Sequence, residues 1–395
     1  RQALREKAIH SRNWNAGLGR RQHQLYDISA EATAPGRAQV ICSHRSTATV
    51  MTPAKGAMLA MKFGLFGSAE VSRGSDDGRV GQGFFDFLDQ NVMAEDLGFH
   101  STFLVEHHFT GIGQVSASLM LLTALAERTT RLRLGTAVVV LPWHNPVLLA
   151  EQAATLDILS GGRLDFGVGR GYRYSEFAGF RMPMEEAQAR FDEAFDVIVK
   201  AWTSDERFSH RGPYWSYDEI IVEPPTAQKP HPPLWIAAGS ANSIRQVAAR
   251  GCNLLLDQFA SPAELGERIA LYRSEVEAQG RAFEPDSVAV ARYFCVSEDT
   301  AELDAAFARL QKANAGMVDR SKSPGGEQAP SHILRYTDRA GGPTAQALYG
   351  SVDEVTTQIE ELHAAGVRYV LLNGNDKGRS LQRFGKAVLP AFRDR

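Results

Sequence analysis

Glu106, His107 and His108 stand side by side, directly after the short apolar segment Phe103-Leu104-Val105. Near neutral pH an imidazole both donates and accepts, so the cluster points to acid–base work or hydrogen bonding at a reacting centre, with a structural histidine as the plain alternative. Adjacent histidines usually point different ways. No HxH, HExxH or Cys/His set with ligand spacing accompanies them, and a metal hydrolase is not indicated. A second group is GVGRGY at 167–172. There Arg170 offers a permanent charge and a forked donor set, while the glycines, Gly171 among them, let backbone approach a planar or phosphorylated ligand. The GxGxxG spacing of a dinucleotide site requires glycine at position 172, where Tyr172 stands. A tight turn carrying a solvated arginine is the alternative. A third group is Gly239-Ser240-Ala241-Asn242-Ser243. Free N–H groups at a helix start, with the Ser240 and Ser243 hydroxyls beside them, suit an anion site and suit simple N-capping equally.

These groups are distant in sequence and act together only if a scaffold gathers them. Apolar segments at 61–67, 101–105, 132–140, 163–168, 234–238, 254–257, 287–296 and 368–373 read as strands. Helical patterns lie between them, over 83–97, 116–128, 146–159, from Pro183 to Trp202, 242–250, 262–279, 299–313 and 352–364, with a last helix from Leu381. Eight alternating units over this length predict an α/β fold, a closed (β/α)8 TIM barrel, with insertions at about 203–233 and 316–348. The aromatic and proline-rich span 210–233 is the place for a hairpin. In such a barrel the C-terminal ends of the strands converge on one face, and all three groups follow predicted strand ends.

Bulk properties narrow the partners. The 395 residues are 44% hydrophobic and 23% charged, with a formal net charge of −3. Nothing there favours nucleic acid or an anionic membrane. No apolar run approaches the roughly 18 residues that span a bilayer, so a cytoplasmic protein is expected. Cys42, Cys252 and Cys295 are odd in number and far apart, which suggests buried free thiols. Residues 1–60 show no sustained period and are expected to be a disordered extension outside the fold, leaving 61–395 as one domain.

Three runs carry a resemblance when taken in order: EHHFTGIG at 106–113, LGTAVVVLP at 134–142, and LDILSGGRLDFGVGRG at 156–171. They resemble the bacterial luciferase family, TIM-barrel flavin monooxygenases with relatives that use the deazaflavin F420 and some non-catalytic members. The resemblance implies reduced FMN, delivered by a separate flavin reductase, reacting with O2 to oxygenate a small apolar substrate in a pocket closed to water. F420-dependent hydride transfer and a non-catalytic flavin-binding relative are the competing readings.

Carried over position by position, it makes His107 the catalytic histidine, with His108 and Glu106 setting orientation. Arg170 would bind the flavin phosphate together with Ser240 and Ser243. Ala137-Val138 would form a non-prolyl cis peptide beside the flavin ring. Two positions depart from luciferase: Gly239 stands in place of a glutamate among its phosphate contacts, and Gly169 in place of its reactive cysteine. The glycine-rich segment 316–348 falls where the family has a mobile lid, and Trp143, Tyr172 and Phe259 are candidate pocket walls. Leu119, Leu122, Leu148, Leu149 and Leu156 are candidates for a dimer face, with a homodimer expected and a heterodimer as the alternative.

Overall fold

A computed structural model describes residues 60–71, 80–325, 344–374 and 378–393. Expectations for residues 1–59, including Cys42, lie outside the described residues. The chain opens with β1 (Lys62–Gly67), α1 (Gln82–Leu97), β2 (Ser101–Leu104), α2 (Ser118–Ala126), β3 (Arg133–Thr136), β4 (Val139–Val140) and α3 (Pro146–Leu159). It continues with β5 (Leu164–Gly169), α4 (Tyr174–Gly179), α5 (Ala187–Thr203), β6 (Phe208–Arg211), β7 (Ser216–Ile220) and β8 (Leu234–Ala237). Next come α6 (Ala241–Ala249), β9 (Asn253–Leu256), α7 (Pro262–Ala278), β10 (Val288–Val296) and α8 (Thr300–Ser321). The last elements are β11 (Leu348–Gly350), α9 (Val352–Ala364), β12 (Tyr369–Asn373) and α10 (Arg379–Arg383).

All barrel pairings are parallel, and they run β12-β1-β2-β3-β5-β8-β9-β10 with β10 returning to β12, so the ring closes on eight strands. Phe103, Trp235, Leu255, Ala289, Tyr369 and Leu371 fill its interior as a separate apolar cluster, while the larger core lies between strands and helices. At the N-terminal end, Arg133 is paired with Asp165 at 2.7 Å, and burial is the largest influence lowering His100 to about 4. Chemistry is left to the opposite rim. Among the described residues no helix is long and apolar enough to cross a membrane, and Cys252 and Cys295 are buried and form no disulfide there.

Local signals explain the boundaries. Asn145 caps α3 by accepting from the N–H groups of Val147 and Leu148 at 3.1 Å each, and Pro146 occupies the first turn, where its missing N–H costs nothing. Ser261 with Glu264, and Ser351 with Glu354, form reciprocal capping boxes that start α7 and α9. Gly98, at φ 88°, ends α1 in the left-handed conformation that a side chain would resist.

Several expectations need correction. The strand expected over 132–140 is two strands, because the chain leaves the sheet at the cis Ala137–Val138 peptide. Pairing with β5 stops at Gly135 and resumes at Val139. Across the gap the Thr136 hydroxyl donates to the Gly167 carbonyl at 2.7 Å and accepts from the Gly167 N–H at 2.9 Å, doing the work of the missing ladder bonds.

The helix expected to stop at Ala313 continues to Ser321, so the first residues of the segment 316–348 are α8 rather than loop; 326–343 lie outside the described residues. Helix α4 and strand β11 were not anticipated. The hairpin is present as β6 and β7, slightly earlier than its expected span. Of the five leucines expected at a dimer face, Leu119, Leu122, Leu149 and Leu156 are buried in the protomer's own core, while Leu148 and the unforeseen Met120 are exposed.

Thr136→Val keeps the shape of the side chain but leaves a buried N–H and a buried C=O of Gly167 without partners. It is expected to lower unfolding free energy by about 2 kcal/mol or more, measured by urea denaturation. Unchanged stability would show that the hydroxyl does not replace the ladder.

Candidate functional site

The C-terminal rim surrounds one cavity of about 1220 Å³. Its walls come from the ends of β1, β2, β4, β5, β8, β9 and β10 and from α4, α6 and α8. His107, Ala137, Val138, Arg170, Gly171, Tyr172, Gly239, Ser240 and Ser243 all line it, as does Glu106. Four sequence-distant groups, an imidazole, a guanidinium and two hydroxyls, are thus brought to a single space.

The neighbouring histidines are used in opposite directions. His107 Nδ1 lies 2.9 Å from Glu176 Oε1, and the same oxygen accepts the His108 backbone N–H at 3.0 Å. Glu176 is 1% exposed, so its carboxylate is committed to this pair. A carboxylate can only accept, which places the His107 proton on Nδ1 and leaves Nε2 as a lone-pair acceptor. Burial lowers the His107 pKa below its ordinary value, the Glu176 hydrogen bond opposes this, and the nearby Arg173 charge lowers it further. His107 is therefore a neutral base at physiological pH.

His108 is not among the residues lining the cavity. Its Nε2 lies 2.8 Å from Glu106 Oε1. That oxygen also receives the Trp143 indole N–H at 2.9 Å and meets His144 Nε2 at 2.8 Å. Glu106 is a buried hub that ties β2 to the turn after β4. Burial alone would raise its pKa, but hydrogen bonds from His108, His144 and Trp143 prevail and lower it to about 2.

Of the three aromatic walls expected, only Tyr172 lines the cavity. Trp143 stacks on Phe180 with centroids 5.3 Å apart, and Phe259 is buried with its ring centroid 6.4 Å from that of the cavity-lining Tyr293. Residues not anticipated matter more: Glu176 on α4, Arg173 at its N-cap, and His144 on Glu106. His144 follows β4 on the same rim as the others, a signal present in the chain. Glu176 has no such signal, since a single glutamate on a six-residue helix reads as a surface residue.

The cavity suits a planar heterocycle with an anionic tail. At Gly171, φ is 79° and a Cβ would approach Val140 Cγ1 to 2.8 Å; at Gly169 it would approach Val138 Cγ2 to 2.4 Å. The main chain therefore comes close where side chains could not. Arg170 is exposed to the cavity and has no ion pair among the described residues. Ser240 and Ser243 cap α6 reciprocally, with Ser243 N–H to Ser240 Oγ at 3.2 Å and their hydroxyls 2.8 Å apart. Capping and anion binding are not exclusive here, because the remaining first-turn N–H groups have no carbonyl beneath them.

A carboxylate whose pKa falls on folding stabilises the protein above its unfolded pKa, and that contribution is lost as pH falls through the folded value. For Glu106 the window runs from 4.5 down to about 2. Glu106→Gln is expected to be destabilised at pH 7 by up to about 3 kcal/mol and to show a shallower loss of stability across that acid window, measured by urea unfolding at a series of pH values. Parallel pH profiles for the two proteins would contradict this hub.

Known proteins resemble this chain in sequence and fold. The luciferase-like monooxygenase family matches residues 61–369. The oxygenase component of the flavin-dependent trigonelline monooxygenase of Acinetobacter baylyi is 27% identical over 354 residues, covering 84% of this chain and 96% of that protein. The crystal structure of a monooxygenase from Streptomyces bottropensis superposes with a TM-score of 0.72 at 27% identity, over 84% of this chain and 100% of the other. An F420-dependent secondary alcohol dehydrogenase shares the fold with a TM-score of 0.68 at 20% identity, over 85% of this chain and 100% of the other.

Proposed function

Because the chain belongs to the luciferase-like monooxygenase family, we propose that it is the oxygenase of a two-component system, taking reduced FMN from a separate flavin reductase and using O2 on a small organic substrate. The observation that carries this reading is His107, held by Glu176 as a neutral base on the wall of a cavity large enough for a flavin and a substrate together. The Acinetobacter baylyi relative, itself named a flavin-dependent oxygenase component, supports both the cofactor and the partner reductase. The F420-dependent neighbour marks the competing reading, hydride transfer without O2, but its likeness is one of fold.

In this reading Arg170 and the first turn of α6 hold the phosphate, helped by Ser240 and Ser243, while Ala137 and Val138 lie beside the ring and Gly169, Gly171 and Gly239 allow close approach of the main chain. Reduced flavin, when bound, supplies the two electrons with which O2 is divided, one oxygen atom passing to the substrate and the other leaving as water. The protein's own contribution is positional. Glu176 keeps the Nδ1 proton in place, so His107 Nε2 accepts a proton from a group in the cavity without losing its orientation. Tyr172 meets the His107 ring edge-on with centroids 6.4 Å apart and limits its rotation. Helix α8 closes one side against water. A homodimer joined through α2 and α3 belongs to the same proposal, since Met120 and Leu148 stand 76% and 53% exposed there.

Anaerobic titration with reduced FMN and, separately, with reduced F420, followed by O2 and measurement of its uptake, tests the reading. Saturable FMN binding with O2 uptake is expected; turnover with F420 and no O2 uptake would overturn it. His107→Ala is expected to leave FMN affinity nearly unchanged and to lower turnover by about 10²–10⁴-fold. Arg170→Ala is expected to weaken FMN binding by about 10–100-fold.

A further inference from the structure

The cavity has an imbalance of donors over acceptors among its buried, unpartnered side-chain groups. Three buried side-chain nitrogens lining it lack a hydrogen-bond partner among the described residues: Arg173 Nε, Arg320 Nε and Asn314 Nδ2. All three are donors. Among the described residues no unpartnered buried side-chain acceptor lines the same space. Each unmet donor costs about 1–3 kcal/mol unless something accepts from it, so the complement of this wall is a group rich in acceptors.

The three donors are held in place. Asn314, 3% exposed, accepts the Tyr293 hydroxyl on Oδ1 at 3.3 Å, and that hydroxyl in turn accepts from Gln258 Nε2 at 3.2 Å. The amide is thereby oriented with Nδ2 left to donate. Arg173, also 3% exposed, has Nη1 3.5 Å from the Gln114 amide oxygen and 3.8 Å from Glu176, which leaves Nε unengaged. Arg320 lies back along α8 over Gly316, where a Cβ would come within 2.9 Å of its Nη1. A mid-helix glycine costs about 1 kcal/mol, and here it makes room for the guanidinium. The Ser175 hydroxyl donates to the Arg320 carbonyl at 3.4 Å, joining α4 to α8.

Charge points the same way. Of the carboxylates lining the cavity, Glu176 and Glu106 are spent on imidazoles, and Asp257 is paired with Arg268 at 3.0 Å. Glu70 is the remaining one, and among the described residues no ion pair within 4.0 Å joins it to Arg320. Glu70 is exposed and shares its charge with water as well as with Arg320. Arg309 and Lys312 add positive charge along the same face of α8.

We propose that the part of the cavity walled by α4 and α8 is a carboxylate subsite, so that the substrate is a small organic acid whose anionic end accepts from Arg173, Arg320 and Asn314. The assignment deepens the flavin oxygenase reading and rests on it.

Isothermal titration of the full chain, with and without FMN, against benzoate, phenylacetate and hexanoate and against the matching amides tests it. The acids are expected to bind at least about ten-fold more tightly than the amides, and Arg320→Gln to lose at least about ten-fold in acid affinity while binding FMN as the parent does. Arg320→Lys, which keeps the charge but not the fork, is expected to fall between them. Amides binding as well as acids, no acid binding, or an Arg320→Gln variant indifferent to acids would overturn the subsite. So would an Arg320→Gln variant that loses FMN and acids in step, since the cation would then serve the cofactor. If the parent chain binds acids with this discrimination but not FMN, the cofactor reading fails while the subsite stands.

Discussion

The hydrogen bond between His107 Nδ1 and Glu176 sets one tautomer of one imidazole, and most of the rim can be understood from it. A histidine at the end of a barrel strand is free to rotate and to titrate. Burial against α4 removes the first freedom, and desolvation together with the Arg173 charge removes the second near neutral pH. The residual proton acceptor, Nε2, belongs to a residue on the wall of a cavity whose unpartnered buried side-chain groups, among the described residues, are donors. A base beside a donor-lined cavity is an arrangement for drawing a proton from a bound molecule while fixing that molecule's negative charge.

The second buried carboxylate explains why two adjacent histidines do not compete for the same task. Glu106 gathers His108, Trp143 and His144 at 2.8–2.9 Å, and its pKa of about 2 reports how firmly those donors hold it. That hub anchors the turn after β4, while Ala137 and Val138, just before β4, line the cavity. His107 and His108 are thus neighbours in sequence that diverge in space: one lines the cavity, the other meets Glu106.

The barrel was legible because each buried strand is a short apolar run closed by polar chain, and each helix carries its own punctuation. Pro146 and the Gly161-Gly162 pair bracket α3 to the residue. What escaped the sequence was whatever depends on contacts across the fold. The run 134–142 is uniformly apolar and reads as one strand, because periodicity carries no trace of a peptide that leaves the sheet. Gly316 and the polar residues around it suggested loop, yet Arg320 packed over that glycine and Asn314 bonded to Tyr293 show why α8 continues. Glu176 is the instructive omission. Nothing in Tyr174–Gly179 distinguishes a surface glutamate from one that will face a histidine 69 residues earlier in the chain.

The most direct test of this account is nitrogen NMR of His107 in protein labelled at histidine, followed from pH 8 to pH 5. The account predicts a neutral ring with the proton on Nδ1, persisting below pH 6.5, the ordinary histidine value. An imidazolium already formed at pH 6.5, or a neutral ring protonated on Nε2, would contradict it.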